Sequence, residues 1–156
     1  MGADAFYYKN RPEGFDKLVS VGRVVIEDNV DIGASCTIDK GVTGDTRIKE
    51  GTKIDNQVHI GHDTVIGKKC LIASQVGISG CVVIEDEVTI WGQVGITSAI
   101  TIGKKAIISA QSGVSKSLEA NKSYFGTPAD DFRKKYKEIA AIRKVPELIE
   151  KMKKHE

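Results

Sequence analysis

Two of the chain's three histidines stand three residues apart, in the run Asp55-Asn56-Gln57-Val58-His59-Ile60-Gly61-His62-Asp63. An imidazole exchanges protons near neutrality, so one held beside a carboxylate suits proton abstraction from an amine or hydroxyl. His62 is the candidate general base, and Asp63 or Asp55 is the carboxylate that would orient its ring. A lone surface histidine is more often a bystander. Here the pairing and the acid-amide cluster before it favour chemistry. As metal ligands the two histidines fall one short of the three a catalytic zinc site takes from protein, so no metal is expected. The third histidine, His155, lies in the tail and reads as solvated.

A repeat must position these residues. Ile48, Ile54, Ile60, Ile66, Ile72, Ile78, Ile84, Ile90, Ile96, Ile102, Ile108 and Val114 are spaced six apart without interruption. Two residues before each comes a smaller or β-branched residue, as at Thr52, Val58, Thr64, Cys70, Val76, Val82 and Val88. The residue after is often small, as at Gly61, Gly67, Ala73, Ser79 and Gly103. A period of six fits neither a helix nor an alternating strand. It fits a short strand and a turn, repeated, as in parallel β-helices. Three units close a triangular coil of 18 residues, and successive coils rise by one strand spacing, roughly 4.8 Å. The aliphatic residues point inward, and the small residues are expected to make the sharp turns. Ile26, Ile32 and Ile38 keep the period but fall out of phase with Ile48, which predicts a bulge of about four residues around Val42 to Asp45.

With Val58 and Ile60 inward, His59 points out, and His62 lies at the following turn. Eighteen residues on from His59 stand Gly77, Gly95 and Gly113; from His62 the same step reaches Gly80, Ser98 and Lys116. A histidine beneath a strip without side chains makes a groove for a long thin group such as an acylated pantetheine arm. Glycines placed so also let a neighbouring subunit approach closely, and the two readings are compatible. A backbone N–H near Gly80 is placed to hold a developing oxyanion.

The ends depart from the repeat. Met1 to Asp4 resemble a hexapeptide caught midway, and residues 7–20 read as an inserted loop. This divides the chain into a partial repeat with its loop (1–20), the β-helix (21–127) and a C-terminal helical extension (128–156). Pro128-Ala129-Asp130-Asp131 reads as a helix start with Asp near the cap. A second helix begins at Pro146, with Leu148, Ile149 and Met152 as its apolar face. Short amphipathic helices need something to pack on, and a solenoid needs caps.

The chain has 156 residues, 40% hydrophobic and 28% charged, with a net charge of +2. That composition is globular, and no window approaches the roughly 18 apolar residues of a membrane span. The first residues lack the basic start and apolar run of a signal peptide. Cys36, Cys70 and Cys81 have no CxxC spacing and read as reduced thiols. Together these features predict a cytoplasmic protein. Lys and Arg crowd the stretch from Arg133 to Lys154. They lie on two short helices with no aromatic platform among them, which argues against nucleic acid as the partner. Trp91 follows an inward isoleucine and should point out.

The runs Thr37-Ile38-Asp39-Lys40-Gly41, Asp55-Asn56-Gln57 and Ile60-Gly61-His62, followed by Tyr124-Phe125-Gly126-Thr127-Pro128-Ala129 and two closing helices, resemble the UDP-3-O-(3-hydroxyacyl)glucosamine N-acyltransferase family of lipid A synthesis. The resemblance covers nearly the whole chain. It implies a left-handed β-helix in a homotrimer, with active sites between subunits. An acyl carrier protein would be the thioester donor, its phosphopantetheine arm the only prosthetic group required, and the acceptor would be the amine of a UDP-sugar. It implies His62 as base, Asp55 and Asn56 lining the site, and Gly80 at the oxyanion donor's position. His59, Gly77, Gly95 and Ser98 are the expected substrate-binding residues. Arg133, Lys134, Lys135, Lys137, Arg143 and Lys144 would face the acidic carrier protein. Two features depart from the family: Ala99 stands where a second histidine is common, and a uridine-binding domain has no counterpart in this chain, so the chain is expected to be a fragment. The His59-to-Asp63 run is also similar to UDP-N-acetylglucosamine O-acyltransferases. The alternatives are a sugar acetyltransferase using acetyl-CoA, a trimeric metalloenzyme of the γ-carbonic anhydrase type, and a non-catalytic trimeric scaffold.

Overall fold

The computed structural model describes residues 1–153 and shows a left-handed parallel β-helix closed by two α-helices. His155 and the last of the basic residues, Lys154, lie outside the described residues. The three faces of the prism are parallel sheets. One contains strands Arg23–Ile26, Asp45–Ile48, Val65–Ile66, Val83–Ile84 and Thr101–Ile102. A second runs from Asp31–Ile32 through Leu71–Ile72 to Ser123–Phe125, and ends on the antiparallel strand Asp130–Asp131. The third stacks Thr37–Ile38, His59–Ile60, Gly77–Ile78, Gly95–Ile96 and Gly113–Val114.

The inward column forms as the spacing predicts. Ile48, Ile60, Ile66, Ile72, Ile78, Ile84, Ile90, Ile102 and Ile108 are buried, with Val58, Val76, Val82, Val88 and Cys70 between them. β-branched side chains suit this position because their restricted χ1 costs little on a pleated strand and they interlock along the axis. Above the bulge, partners lie 18 residues apart until the last coil, as Val65 with Val83 and Ile78 with Ile96. Below it they lie 22 apart, as Arg23 with Asp45 and Thr37 with His59. The insertion is therefore four residues, and it leaves the inward register intact on both sides.

The corners differ from expectation. Left-handed backbone occurs at the third residue past each inward isoleucine from Ile48 to Ile108, and from Gln57 to Gln111 one such residue stands every six positions, none of them glycine. Gln57, Asp63, Lys69, Gln75, Cys81 and Glu87 all carry a φ of 54–61°. Such a conformation costs roughly 1–2 kcal/mol per residue. It persists because these N–H groups, Asp63 excepted, reach a carbonyl in the coil below, as Cys81 N–H to His62 O (2.8 Å) and Glu87 N–H to Lys68 O (2.8 Å). Four of them form a ladder in which Gln75, Gln93 and Gln111 each donate an amide N–H to the glutamine beneath, at 2.8–2.9 Å. The small residue directly after the isoleucine answers a different constraint, contact with the next coil. A Cβ on Gly61 would lie 2.6 Å from the backbone nitrogen of Gly80.

Met1 to Asp4 do behave as part of a repeat. Ala3 bridges Asp39 in parallel, Gly2 N–H donates to Ile38 O (2.7 Å), and Lys40 N–H donates to Ala3 O (2.9 Å). The segment read as a loop is instead a β-hairpin, β1 (Tyr8–Arg11) against β2 (Gly14–Lys17), with its side chains exposed. At the other end α1 spans Phe132–Ile142, and Asp131 caps it by accepting from the Arg133 and Lys134 N–H groups (both 3.1 Å). Phe125, Phe132 and Tyr136 line up ring to ring at 5.8 and 6.5 Å, seating α1 on the last coil. The second helix, α2 (Val145–Lys153), has Pro146 in its first turn. Its apolar face, Leu148, Ile149 and Met152, stays exposed in the single chain.

Truncating the inward column tests the stacking model. Ile78→Ala leaves a void in a core with no room to collapse, and is expected to destabilise the chain by about 2–5 kcal/mol in chemical denaturation. Loss of less than about 1 kcal/mol would contradict close packing along the axis.

Candidate active site

The glycine strip opens a cavity of about 1040 Å³. Its floor is the outer surface of the third sheet, and Gly77 and Gly95 face empty space there: a Cβ on either would meet nothing within 4 Å. His59 and His62 lie at the lower end with Asp39, and Gly80, Cys81, Ser98 and Ala99 form the side along the corner. Thr127 and Pro128 close the upper end, where a Cβ on Gly113 would come within 3.0 Å of the Thr127 methyl. Phe6 and Tyr7 reach in from below, and the Tyr7 ring stands 5.9 Å from the His62 ring, centre to centre.

His62 is held on both sides. Its Nδ1 lies 2.8 Å from Asp63 Oδ2. An ionised carboxylate can only accept, so Nδ1 carries a proton, and in the neutral ring Nε2 presents a lone pair. Nε2 faces the coil above, where a Cβ on Gly80 would lie 2.5 Å from it. Gly80 is therefore a glycine because the imidazole occupies that space. The Gly80 N–H has no backbone acceptor among the described residues, whereas its neighbours Ser79 and Cys81 donate to Ile96 and His62 carbonyls.

Asp63 joins the site to the bulge. Its two carboxylate oxygens accept from Val42 N–H (2.8 Å) and Gly44 N–H (3.1 Å) as well as from the ring. Burial alone would raise its carboxyl, but the Val42 N–H, the His62 ring and the Gly44 N–H outweigh burial and hold it below the usual carboxylate range. The four inserted residues thus supply the donors that fix the orienting carboxylate.

Several predicted residues converge and others do not. His59, His62, Gly77, Gly80, Gly95 and Ser98 share the cavity wall. Asp55 and Asn56 do not line it. They sit at a different corner, where Asp55 Oδ1 accepts from Asn56 N–H (2.7 Å) and Asn56 Oδ1 from Ala34 N–H (2.7 Å). Within one chain the carboxylate serving His62 is Asp63, because Asp63 follows it on the same corner while Asp55 precedes the turn into the histidine strand. Of the basic residues, Lys134 pairs with Asp130 (2.6 Å) and Lys135 with Glu138 (3.3 Å). Arg133, Lys137, Arg143 and Lys144 have no acidic partner among the described residues. Lys134 draws the Asp130 carboxyl down to about 2. Trp91 is about half exposed, as expected.

Spacing did not suggest Asp39, Cys81, Phe6 or Tyr7. Cys81 Sγ lies 4.0 Å from His62 Nδ1, and His62, Asp63 and Cys81 offer ligand atoms within 4.8 Å of one another. Both Asp63 oxygens are already engaged by backbone donors, so the trio suits hydrogen bonding better than metal. Burial, and then the Asp63 carboxylate, push the Cys81 thiol up, which makes it a poor nucleophile at neutral pH.

Comparison with known proteins converges on one group. The model of the bacterial transferase hexapeptide (six repeats) matches residues 45–80. The chain is 59% identical over 153 residues to the UDP-3-O-acylglucosamine N-acyltransferase of Fusobacterium nucleatum, covering 98% of this chain and 46% of that protein. The protein of the same name from Rhizobium rhizogenes is 57% identical over 75 residues, 48% of this chain and 21% of that protein. The solved UDP-N-acetylglucosamine acyltransferase of Francisella novicida superposes with a TM-score of 0.74 at 26% identity, over 83% of this chain and 47% of that one. The chain spans half or less of the length of these relatives.

Asp63→Ala should cost about 2 kcal/mol by removing a charged acceptor from two buried-side N–H groups. It should also speed amide exchange at Val42 and Gly44. Because the folded carboxyl is depressed, its contribution is complete above the unfolded value of about 3.9 and fades as pH falls through the lower folded value. The gap between wild type and variant should therefore close in acid. Unchanged exchange at Val42 and Gly44 would show that Asp63 does not hold the bulge.

Proposed function

From the premise that the chain belongs with the hexapeptide-repeat acyltransferases, and aligns along 98% of its length with a UDP-3-O-acylglucosamine N-acyltransferase, we propose that it moves a 3-hydroxyacyl chain from acyl carrier protein to the amine of a UDP-glucosamine derivative in lipid A synthesis. The observation that carries this reading is the His62 ring, oriented by Asp63 at 2.8 Å, with its free Nε2 at the foot of the bare glycine strip.

Each part of the site has a task in that reaction. His62 Nε2 takes a proton as the acceptor amine attacks the thioester carbonyl. Asp63 keeps Nδ1–H in place and stabilises the imidazolium that forms. The Gly80 N–H donates to the oxyanion of the tetrahedral intermediate. Collapse of that intermediate forms the amide, breaks the C–S bond and leaves the carrier's pantetheine thiol, which regains a proton from His62. No covalent enzyme intermediate is required. The strip over Gly77 and Gly95 takes the long thin donor, with Ser98 beside it, and His59 meets the acceptor.

The same reading proposes a homotrimer. The apolar residues left exposed on the second sheet, Leu71 and Ile107, and the apolar face of α2 are surfaces a second copy would cover. Asp55 and Asn56, at another corner of the prism, would then enter a site shared between subunits. Arg143 and Lys144, which have no acidic partner among the described residues, would steer the acidic carrier protein in the cytoplasm.

His62→Ala is expected to lower kcat/KM by about 10²–10⁴-fold with the fold intact. Acyl transfer at the wild-type rate would remove the base from the mechanism. Replacing Arg143 and Lys144 by Glu should raise the KM for acyl carrier protein about tenfold at low salt, and less at high salt. A variant insensitive to the carrier yet active with acetyl-CoA would favour the acetyltransferase alternative.

A further inference from the structure

Asp39 is a second carboxylate in the groove, and nothing above uses it. Its side chain is only 10% exposed, and neither of its oxygens has a hydrogen-bond partner among the described residues. Lys40, next in sequence, turns away to Asp4 at 2.9 Å, so it does not neutralise Asp39. The segment around Ala3 packs beneath Asp39 and removes it from solvent on that side. The open side is the groove, which Asp39 lines together with His59, Phe6 and Tyr7.

The histidine above has matching geometry. His59 Nδ1 lies 2.8 Å from Thr37 Oγ1, and its Nε2 lies 4.0 Å from Asp39 Oδ2. At 4.0 Å the ring nitrogen and the carboxylate oxygen are too far apart to bond each other directly. Thr37 Oγ1 can donate to Nδ1, which leaves the ring proton on Nε2. A hydroxyl between them, about 2.8 Å from each, then donates to Asp39 and accepts from His59 Nε2–H. The Asp39 oxygens stay reachable from the groove, so a group lying there can supply the hydrogen the carboxylate lacks within the chain.

We propose that Asp39 and His59, braced by Thr37, form a subsite that binds a hydroxyl of the acceptor sugar. His59 sits on the strand that leads into His62 and Asp39 one coil below it, in the same cavity. The pair would anchor the acceptor while the His62 ring works on the reacting nitrogen. This assignment rests on the acyltransferase reading for the identity of the acceptor.

The test is calorimetric binding of UDP-3-O-acylglucosamine, and of its N-acetylated counterpart, to the wild-type chain, Asp39→Ala and Asp39→Asn. Both variants should weaken the free-amine sugar by about tenfold or more, with melting temperature and the KM for the acyl donor unchanged. The N-acetylated sugar should weaken equally, since its hydroxyls are unchanged; a loss confined to the free-amine sugar would place the amine at Asp39 and overturn the hydroxyl subsite. Wild-type affinity in a folded Asp39→Asn overturns the subsite and leaves the acyltransferase reading standing. Should the wild type bind the sugar but transfer no acyl group, the subsite stands and the acyltransferase reading falls. No binding by the wild type overturns both. The asparagine variant keeps side-chain volume, so the test survives a failure of Asp39→Ala to fold.

Discussion

Stacking of inward aliphatic side chains, one coil upon the next, is the constraint on which everything else in this molecule depends. Because the buried positions recur every six residues, a slip of one residue would drive an isoleucine outward and a polar group into the prism. The backbone follows that register. Parallel hydrogen bonds link each strand to its counterpart one coil on, 18 residues away through the middle of the prism, and corner N–H groups reach the coil below. Once the column is set, the outward positions form vertical files whose composition is free to vary. One file holds glutamines that bond one another. Another holds a histidine with glycines above it.

That freedom is where a site can be built. A side chain on the outer face costs little stability, so the third sheet dispenses with side chains at Gly77 and Gly95 and becomes the floor of a groove. The corner above His62 has no Cβ for a more demanding reason, since the imidazole already occupies the space. Proximity between the ring and the next coil is thus enforced by the same roughly 4.8 Å rise that packs the core.

The four-residue bulge couples scaffold to chemistry. An insertion between coils would ordinarily be a tolerated surface loop. Here its N–H groups at Val42 and Gly44 converge on Asp63, which in turn orients His62. Left-handed backbone at Asp63 is the same corner conformation found every six residues. The site borrows a structural necessity of the solenoid and turns it to positioning.

Much of this was legible in the residues alone. The six-residue period identified the inward column, the outward histidines, the glycine file and the length of the bulge, because all of these are local spacings read against one repeating geometry. The Asp131 cap was legible for the same reason. What only the tertiary structure decided are contacts between coils and between distant segments. They include Asp63 reaching back 21 residues to Val42, Asp39 left without a donor opposite His59, Tyr7 folded over His62, and Asp55 and Asn56 on a different corner. The left-handed residues belong to the same class. Gln, Lys, Cys and Glu have no preference for that conformation, and hydrogen bonds to the coil beneath impose it. A periodic pattern specifies which side of the wall each residue faces. Which groups then meet across the groove depends on distances that arise when coils stack, and those distances are not written in any one repeat.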